Sequence, residues 1–345
     1  MSEKSATTAA MAKKKSTAAA SASAAAAASR SNVVAAPTSN GGWERATVRK
    51  CDLSPLRRQG LLPANQEKVR LAGPEIVPRP EPGWRVMFIP FVVRGLCFPV
   101  HPFLRNLLFV YGIQLHHLTP NSLLHLAVYF TLCECFLGIH PHWGLFKHLF
   151  RVKRQSGHFD AGSFGISVRP GAEYFDLNMV DSAQGWRRRW FYIRDEPSPG
   201  QVNGLEPFSA GSEIRKKRTW ANELNPVEAA EVEKLMERVR FLRNTAGQEV
   251  TGFQIMATFI RRRVQPLQAR AHGMWMYAGA ADPTRVSTED LSPTEVETRV
   301  KSLTKLTLGD DFLGTPPVAP YGADNQIPEI NFIYPFTLIA SILDP

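Results

Sequence analysis

Apolar side chains recur at helical spacing from Pro102 to Leu149. In HPFLRNLLFVYGIQ, Pro102 predicts a first helical turn and Gly112 predicts the end of that helix. Thr119 predicts the N-cap of a second helix, whose apolar stripe ends at Gly138. The stretch HWGLFKHLFRVKR predicts a third helix with its cations toward the C-terminal end. We therefore expect this region to form a hydrophobic helical core.

Three further helices are predicted in the last third of the chain. Asn225 and Ser292 each precede a proline and lie three positions before a glutamate, which is the pattern of a capping box. An apolar stripe follows each of these starts, and another helix is predicted over Gly252 to Val264. No repeat of fixed length is present, so a solenoid is not expected.

Short alternating or β-rich runs separate the two helical regions. They lie in GISVRPGAEYFDLNM and GWRRRWFYIRDE, and they predict a small antiparallel β element. On such a strand Trp186, Arg188, Trp190 and Tyr192 would share one face. The preceding LAGPEIVPRPEPG predicts an extended linker. The predicted fold is mainly α with a small antiparallel β insert, in the α+β class.

Composition divides the chain into five predicted parts. These are a disordered Ala/Ser/Lys-rich tail (1–42), a domain of helical core and β element (43–196), a basic linker (197–219), a helical extension of the same domain (220–311) and an irregular hydrophobic tail (312–345). The acidic-poor, Ser-rich N-terminus is also typical of an organelle transit peptide, and that alternative stays open.

The charge balance permits an anionic partner such as RNA or DNA. The 345 residues carry a formal charge of +10, and 44% of them are hydrophobic. Four cysteines in no secreted pattern indicate a reducing intracellular compartment, the nucleus or the cytoplasm. His125 and Glu134 interrupt the longest apolar run, so we expect a core helix there, no transmembrane helix and no membrane partner.

Three strings resemble one known family: GLCFPVHPFLRNLLFVYGIQLHHLTPNSLLHLAVYFTLCECFLGIHPHWGLFKHLF, RPGAEYFDLNMVDSAQGWRRRWFYIRDE and FIRRRVQPLQARAHGMWMYAGAADPTR. They are similar to the plant family labelled "putative gypsy-type transposon", or "transposase (putative), gypsy type", of proteins derived from grass retrotransposons. The likeness is specific over Gly95 to Glu196 and looser over Trp43 to Gly95 and Trp220 to Gly309. The resemblance implies a retrotransposon-derived protein, and it brings no established activity or catalytic residue to these positions.

The stretch CECFLGIHPHWGLFKH raises the question of a metal site. Structural zinc usually binds Cys-x2-Cys or His-x3-His pairs. Cys133 and Cys135 would instead diverge by about 200° on a helix, and His140 and His142 flank a proline turn. We expect core thiols and turn histidines, with neither a metal nor another cofactor.

Catalytic motifs are scarce. A transposase needs carboxylates around two Mg²⁺ ions, and Asp160, Asp195 and Glu231 echo the required spacing. Asp160, however, lies in a Gly/Ser loop, and the strand pattern of a ribonuclease-H-like fold is missing. Phosphate-loop, dinucleotide, GxSxG and HExxH motifs are also absent. A non-enzymatic protein is the main prediction, and an Mg-dependent transposase- or integrase-like nucleotidyl transferase is the alternative.

Arginines and aromatic rings alternate in WRRRWFY, a mixture that can bind phosphates and stack on bases. Alternatively, these rings pack a core while the arginines pair with acids across the sheet. Two basic runs extend the candidate set. The candidate nucleic-acid-binding residues are Arg187, Arg188, Arg189, Trp190, Tyr192, Arg215, Lys216, Lys217, Arg218, Arg261, Arg262 and Arg263. The predicted function is a gag-like module that associates with itself as a homo-oligomer, with partner proteins or with nucleic acid.

Overall fold

A computed structural model describes most of the chain between its two terminal tails. The described residues are 42–155, 163–177, 179, 185–195, 205–214, 223–244, 250–264, 274–275 and 286–307. All of them lie in one compact unit, Asn40–Pro345. The hydrophobic tail predicted at 312–345, the basic run Arg215 to Arg218, and all but Gly42 of the N-terminal tail lie outside the described residues.

Helices dominate the described part of the chain. The α-helices are α1 (Lys50–Arg58), α2 (Ile89–Val92), α3 (Pro102–Tyr111), α4 (Pro120–Thr131), α5 (Trp143–Leu149), α6 (Pro226–Asn244), α7 (Gly252–Phe259) and α8 (Pro293–Thr307). π-Helical turns continue α4 over Leu132–Leu137 and α7 over Ile260–Val264. Among the helices described, none combines the length and hydropathy needed to cross a membrane.

The starts and ends of the core helices follow local sequence signals. Pro102 opens α3, and Gly112 ends it with a φ of 62°, in the left-handed region that glycine adopts without strain. The Thr119 hydroxyl caps α4 by accepting from the Ser122 N–H at 3.2 Å. Gly138 closes the π turn with a φ of 70°. These observations confirm the predicted boundaries.

The third predicted helix is shorter than expected, because α5 ends at Leu149 and a strand follows. Strand β3 (Phe150–Gln155) pairs antiparallel with β4 (Ser163–Val168), from Phe150 opposite Val168 to Gln155 opposite Ser163. The prediction of helix through RVKR is therefore wrong. Phe150 and Val152 alternate with Arg151 and Lys153, and pairing with a second strand favours this period of two over helical continuation.

A three-stranded antiparallel sheet has the order β1 (Val69–Arg70), β5 (Trp190–Arg194), β2 (Trp84–Phe88). The two predicted β runs therefore lie in different sheets, and β1 and β2 flank the stretch interpreted as a linker. β5 buries Trp190 to Ile193, on both of its faces. Trp186 and Arg188 lie on a 3₁₀ turn before the strand, so the predicted face shared by four residues is wrong for them. The fold class, mainly α with small antiparallel sheets, is confirmed.

The C-terminal helices pack onto the N-terminal ones. Asn225 and Glu228 form the predicted capping box, with hydrogen bonds of 2.9 and 3.1 Å. Helix α6 lies against α5, and α7 lies against both α4 and α8. One continuous group of buried apolar residues runs from Trp43 to Leu303. The described residues before and after the predicted basic linker (197–219) therefore share one hydrophobic core.

Candidate nucleic-acid interface

The aromatic members of the predicted nucleic-acid site lie inside the core. Trp190 and Tyr192 are both 0% exposed. The Trp190 indole N–H donates to the Glu44 carbonyl at 2.9 Å, and the Tyr192 hydroxyl donates to Glu75 and accepts from the Arg79 N–H. In this conformation neither ring has an open face on which a base could stack. The core-packing alternative describes both of them.

Three arginines precede that strand, and each has a different environment. The Arg187 guanidinium donates to the Ser163 hydroxyl and lies 5.4 Å from the Trp186 ring centroid. Burial lowers the pKa of Arg187 to about 10, and nearby Glu44 opposes that shift, so the side chain stays a cation at neutral pH. Arg188 is mostly exposed and forms an ion pair with Glu44, whereas Arg189 is half-buried.

The run Arg261 to Arg263 lies on the π turn after α7 and faces partly inward. Arg261 and Arg262 are half-buried, whereas Arg263 is 1% exposed. The Arg263 guanidinium lies 3.1 Å from a Glu134 carboxylate oxygen and donates to the Trp275 carbonyl at 2.9 Å. Arg263 therefore cannot reach a phosphate without leaving the core.

Arg263 belongs to a buried polar cluster around the π turn Leu132–Leu137. Glu134 also contacts His101, with Oε1 2.9 Å from the imidazole Nε2. The His101 Nδ1 accepts from the Phe103 N–H, which leaves Nε2 as the nitrogen that donates to Glu134. Arg263 further donates to the Cys135 Sγ at 3.2 and 3.3 Å. These contacts satisfy a buried carboxylate and hold the wide turn in place.

The cysteines and histidines of CECFLGIHPHWGLFKH do not converge. Cys133 is fully buried, and burial raises the pKa of its thiol to about 12, which keeps it protonated. His142 caps α5 by accepting from the Leu145 N–H at 3.1 Å. Within the described segments, no group of three or more His, Cys, Asp or Glu side chains is arranged to hold a metal ion.

The carboxylates of the transposase-like alternative have other partners. Asp195 is buried in an ion pair with Arg85, which opposes the rise in the Asp195 pKa that burial causes. Glu231 is exposed on α6, and its carboxylate lies 3.7 Å from the His142 imidazole. Asp160 lies outside the described residues.

An exposed group of cations, predicted from the sequence to lie at a helix end, lies on β3. Arg151, Lys153 and Arg154 are all exposed. Arg151 pairs with Ser167 across the ladder and Lys153 pairs with Gly165, so only a hydroxymethyl group and a hydrogen atom stand opposite them. Neither FRVKRQ nor SFGISV contains an acidic residue.

The Arg187 side chain lies on the same face of β3 and β4 as Arg151 and Lys153. Its hydrogen-bond partner Ser163 lies on the same side of β4 as Gly165 and Ser167, because side chains alternate along a strand. The Arg187 guanidinium is thus on the side of Arg151 and Lys153, while Arg154 lies on the opposite side. We call β3 and β4 with Arg151, Lys153, Arg154 and Arg187 the cationic ribbon. An alternation of cations with Phe150 and Val152 was the sequence signal that could have revealed it.

Comparison with known proteins finds a family model that matches part of this region. No curated protein and no solved structure matches the chain. A family model described as "Putative gypsy type transposon" matches residues 86–154, from within β2 to the cations of β3. The chain is thus similar to this family over residues 86–154.

Proposed function

We propose that the chain is a non-enzymatic, retrotransposon-derived interaction module that binds the phosphate backbone of nucleic acid through the cationic ribbon. The observation that carries this proposal is the concentration of cations on two strands that contain no carboxylate. Cations neutralise phosphates and release the counterions bound to them, which favours binding independently of sequence.

The backbone of the ribbon fixes the position of its charges. Six successive residue pairs join β3 to β4, and the Arg151 Nε donates to the Ser167 hydroxyl at 3.1 Å. Side chains two positions apart on a strand project from the same face about 7 Å apart. Arg151 and Lys153 therefore present two cations at a fixed spacing, so less conformational entropy is lost on binding than with a flexible basic tail.

The burial of the aromatic rings argues against base stacking as the way in which nucleic acid is recognised. Base stacking needs exposed rings, and Trp190 and Tyr192 are buried. The ribbon also carries guanidinium and ammonium groups suited to phosphates, which position a complex without reading its sequence. We therefore propose binding to duplex backbone with little sequence preference.

Strand-transfer chemistry has less support. Arg85 forms an ion pair with the Asp195 carboxylate, which makes this carboxylate a poor ligand for Mg²⁺. The Glu231 carboxylate lies near His142. We therefore assign no catalytic step to these residues.

The test measures affinity for a 20-base-pair duplex against salt concentration, by fluorescence anisotropy with the full chain. Arg151, Lys153 and Arg154 are replaced together by glutamine. The slope of log K against log salt is expected to become shallower by about 1.8, since Arg151 and Lys153 share one face and each lost phosphate contact contributes about 0.9. The triple variant is also expected to bind the duplex more weakly than the parent at low salt.

A control variant separates this effect from overall charge. Lys50, Arg58 and Lys68 are also exposed and lie outside the ribbon, so their replacement by glutamine removes the same net charge. That variant is expected to keep nearly the parent slope. Absence of binding by the parent at about 50 mM salt, or equal slopes for the two triple variants, would contradict the proposal.

A further inference from the structure

Strand β3 has one edge that is not covered by another strand of the described residues. Its other edge pairs with β4, and these two strands make up their whole sheet in the described part of the chain. An uncovered strand edge presents N–H and C=O groups with which a further strand can pair. We call the side of β3 away from β4, centred on Val152, the β3 edge.

Two hydrogen bonds show which backbone groups point out from the β3 edge. The Arg169 N–H donates to the Leu149 carbonyl at 2.9 Å, so hydrogen-bonded pairs of the ladder fall at every second position from Leu149. Val152 and Ile166 are therefore a non-hydrogen-bonded pair. In agreement, the Ile166 N–H donates to the Ser122 hydroxyl at 2.9 Å, on the side of β4 away from β3. The N–H and C=O of Val152 thus point away from β4.

A second copy of the chain can pair with this edge in one symmetric register. When Val152 lies opposite Val152 of the partner subunit, each N–H donates to the other C=O, and two ribbons become one four-stranded antiparallel sheet. The same register places Arg151 directly opposite Lys153 of the partner subunit, twice by symmetry. Side chains directly opposite lie about 5 Å apart, so these two pairs of like charges oppose the pairing.

We propose that the β3 edge is a self-association site that its own cations keep closed and that a polyanion opens. Lys and Arg on an edge strand protect it from pairing with another strand. Here Arg151 and Lys153 flank the outward groups of Val152, and Ser167 and Gly165 opposite them bring no negative charge. Phosphates bound on the exposed face neutralise both like-charge pairs and remove the barrier.

The charges favour a second copy as the occupant of the β3 edge. Opposite residues of an antiparallel sheet project from the same face, so the joined sheet presents Arg151 and Lys153 of both copies together. These four cations match a polyanion better than the two of a single ribbon. The opening by a polyanion rests on the proposed function, whereas the closure by the cations does not.

The first test contains no nucleic acid. Sedimentation gives the molar mass of the nuclease-treated full chain from about 1 μM to 1 mM, a range that covers a small and therefore weak interface. Arg151 and Lys153 are replaced together by glutamine, which removes both like-charge pairs. This double variant is expected to dimerise at least about 10-fold more tightly than the parent. A double variant that dimerises no more tightly than the parent would overturn the proposal, and that is the result expected if the edge bound an acidic peptide instead.

Two substitutions of Val152 in the double variant test the strand pairing itself. Val152→Pro removes the outward N–H and is expected to abolish the dimer, since an edge strand tolerates proline where its N–H faces solvent. Val152→Thr is the matched control, because it keeps the N–H and is expected to keep the dimer. Equal dimerisation by these two variants would reject pairing at the β3 edge. The comparison of the double variant with the parent decides the proposal even if the proline variant fails to fold.

The second test adds the polyanion. The full chain is titrated onto a 40-base-pair duplex by fluorescence anisotropy, and the parent is expected to bind cooperatively because neighbouring copies pair. Val152→Pro alone keeps every cation, so it is expected to bind with the parent salt slope but without cooperativity. Equal cooperativity of the two proteins, or none in the parent, would reject opening by the polyanion. Absence of binding by the parent would remove the proposed function and this opening with it, and the first test would still decide whether the cations close the edge.

Discussion

Replacing Arg263 by methionine tests the buried cluster around the π turn. Methionine keeps much of the side-chain length but removes the partner of Glu134, the two donors to Cys135 and the donor to Trp275. A buried carboxylate that loses its cation costs about 3–5 kcal/mol of unfolding free energy. We expect the unfolding free energy to fall by about 3 kcal/mol, the lower end of that range, because His101 still donates to Glu134.

The coupling free energy between Arg263 and Glu134 is a second, independent quantity to measure. The Arg263→Met, Glu134→Gln double variant should cost less than the sum of the two single substitutions, by about 1–3 kcal/mol. The reason is that the second substitution removes a charge that the first has already left unpaired.

Urea unfolding of the full chain, followed by tryptophan fluorescence at a constant m value, measures both quantities. Arg261→Met is the control, because this arginine lies on the same turn but is only half-buried. It is expected to cost no more than about 1 kcal/mol. An Arg263→Met loss under about 1 kcal/mol, or strictly additive costs, would refute the reasoning that this ion pair holds the turn.

Two further predictions concern stability. Burial lowers the pKa of both His117 and His125 to about 4, below the usual 6.5, so the unfolded chain binds protons that the folded chain does not. Stability should therefore fall as the pH drops from about 6.5 toward 4, by up to about 3 kcal/mol for each histidine. The urea midpoint of a His125→Gln variant should depend less steeply on pH than that of the parent, and an equally steep dependence would contradict this prediction. At Gly252 a Cβ would lie 1.8 Å from the Asp176 carbonyl oxygen, so Gly252→Ala should lower the unfolding free energy by about 3 kcal/mol or more. Gly211→Ala, whose Cβ meets nothing within 4 Å, is its control in the same urea assay and should be near neutral, and equal midpoints for the two would exclude the close approach.

Helix starts could be predicted because their signals are local. Asn225 and Glu228 are three positions apart, and their reciprocal hydrogen bonds use only neighbouring backbone and side chains. The same holds for Thr119 and Ser122. By contrast, β3 becomes a strand because β4 pairs with it, and the composition of RVKR alone fits a helix end equally well.

The candidate cations illustrate a second limit. Arg261, Arg262 and Arg263 are chemically identical neighbours, yet Arg263 alone is 1% exposed. Its partner Cys135 lies 128 positions earlier, and no local pattern encodes that contact. The total charge was readable from the sequence, whereas the exposure of each cation depends on distant packing.

The strand pairing has a consequence for the folding of the matched segment, residues 86–154. Those residues contain most of β2 and β3, but β5 and β4, which pair with them, come later in the chain. A ribosome that has released residue 154 has therefore delivered two strands with unpaired edges, and the loop that joins β2 to β5 can close only after Arg194 emerges. Expressed as an isolated fragment, the segment would expose these edges together with the core surface that α7 covers. The unit that a family comparison recognises is thus smaller than the unit that can fold.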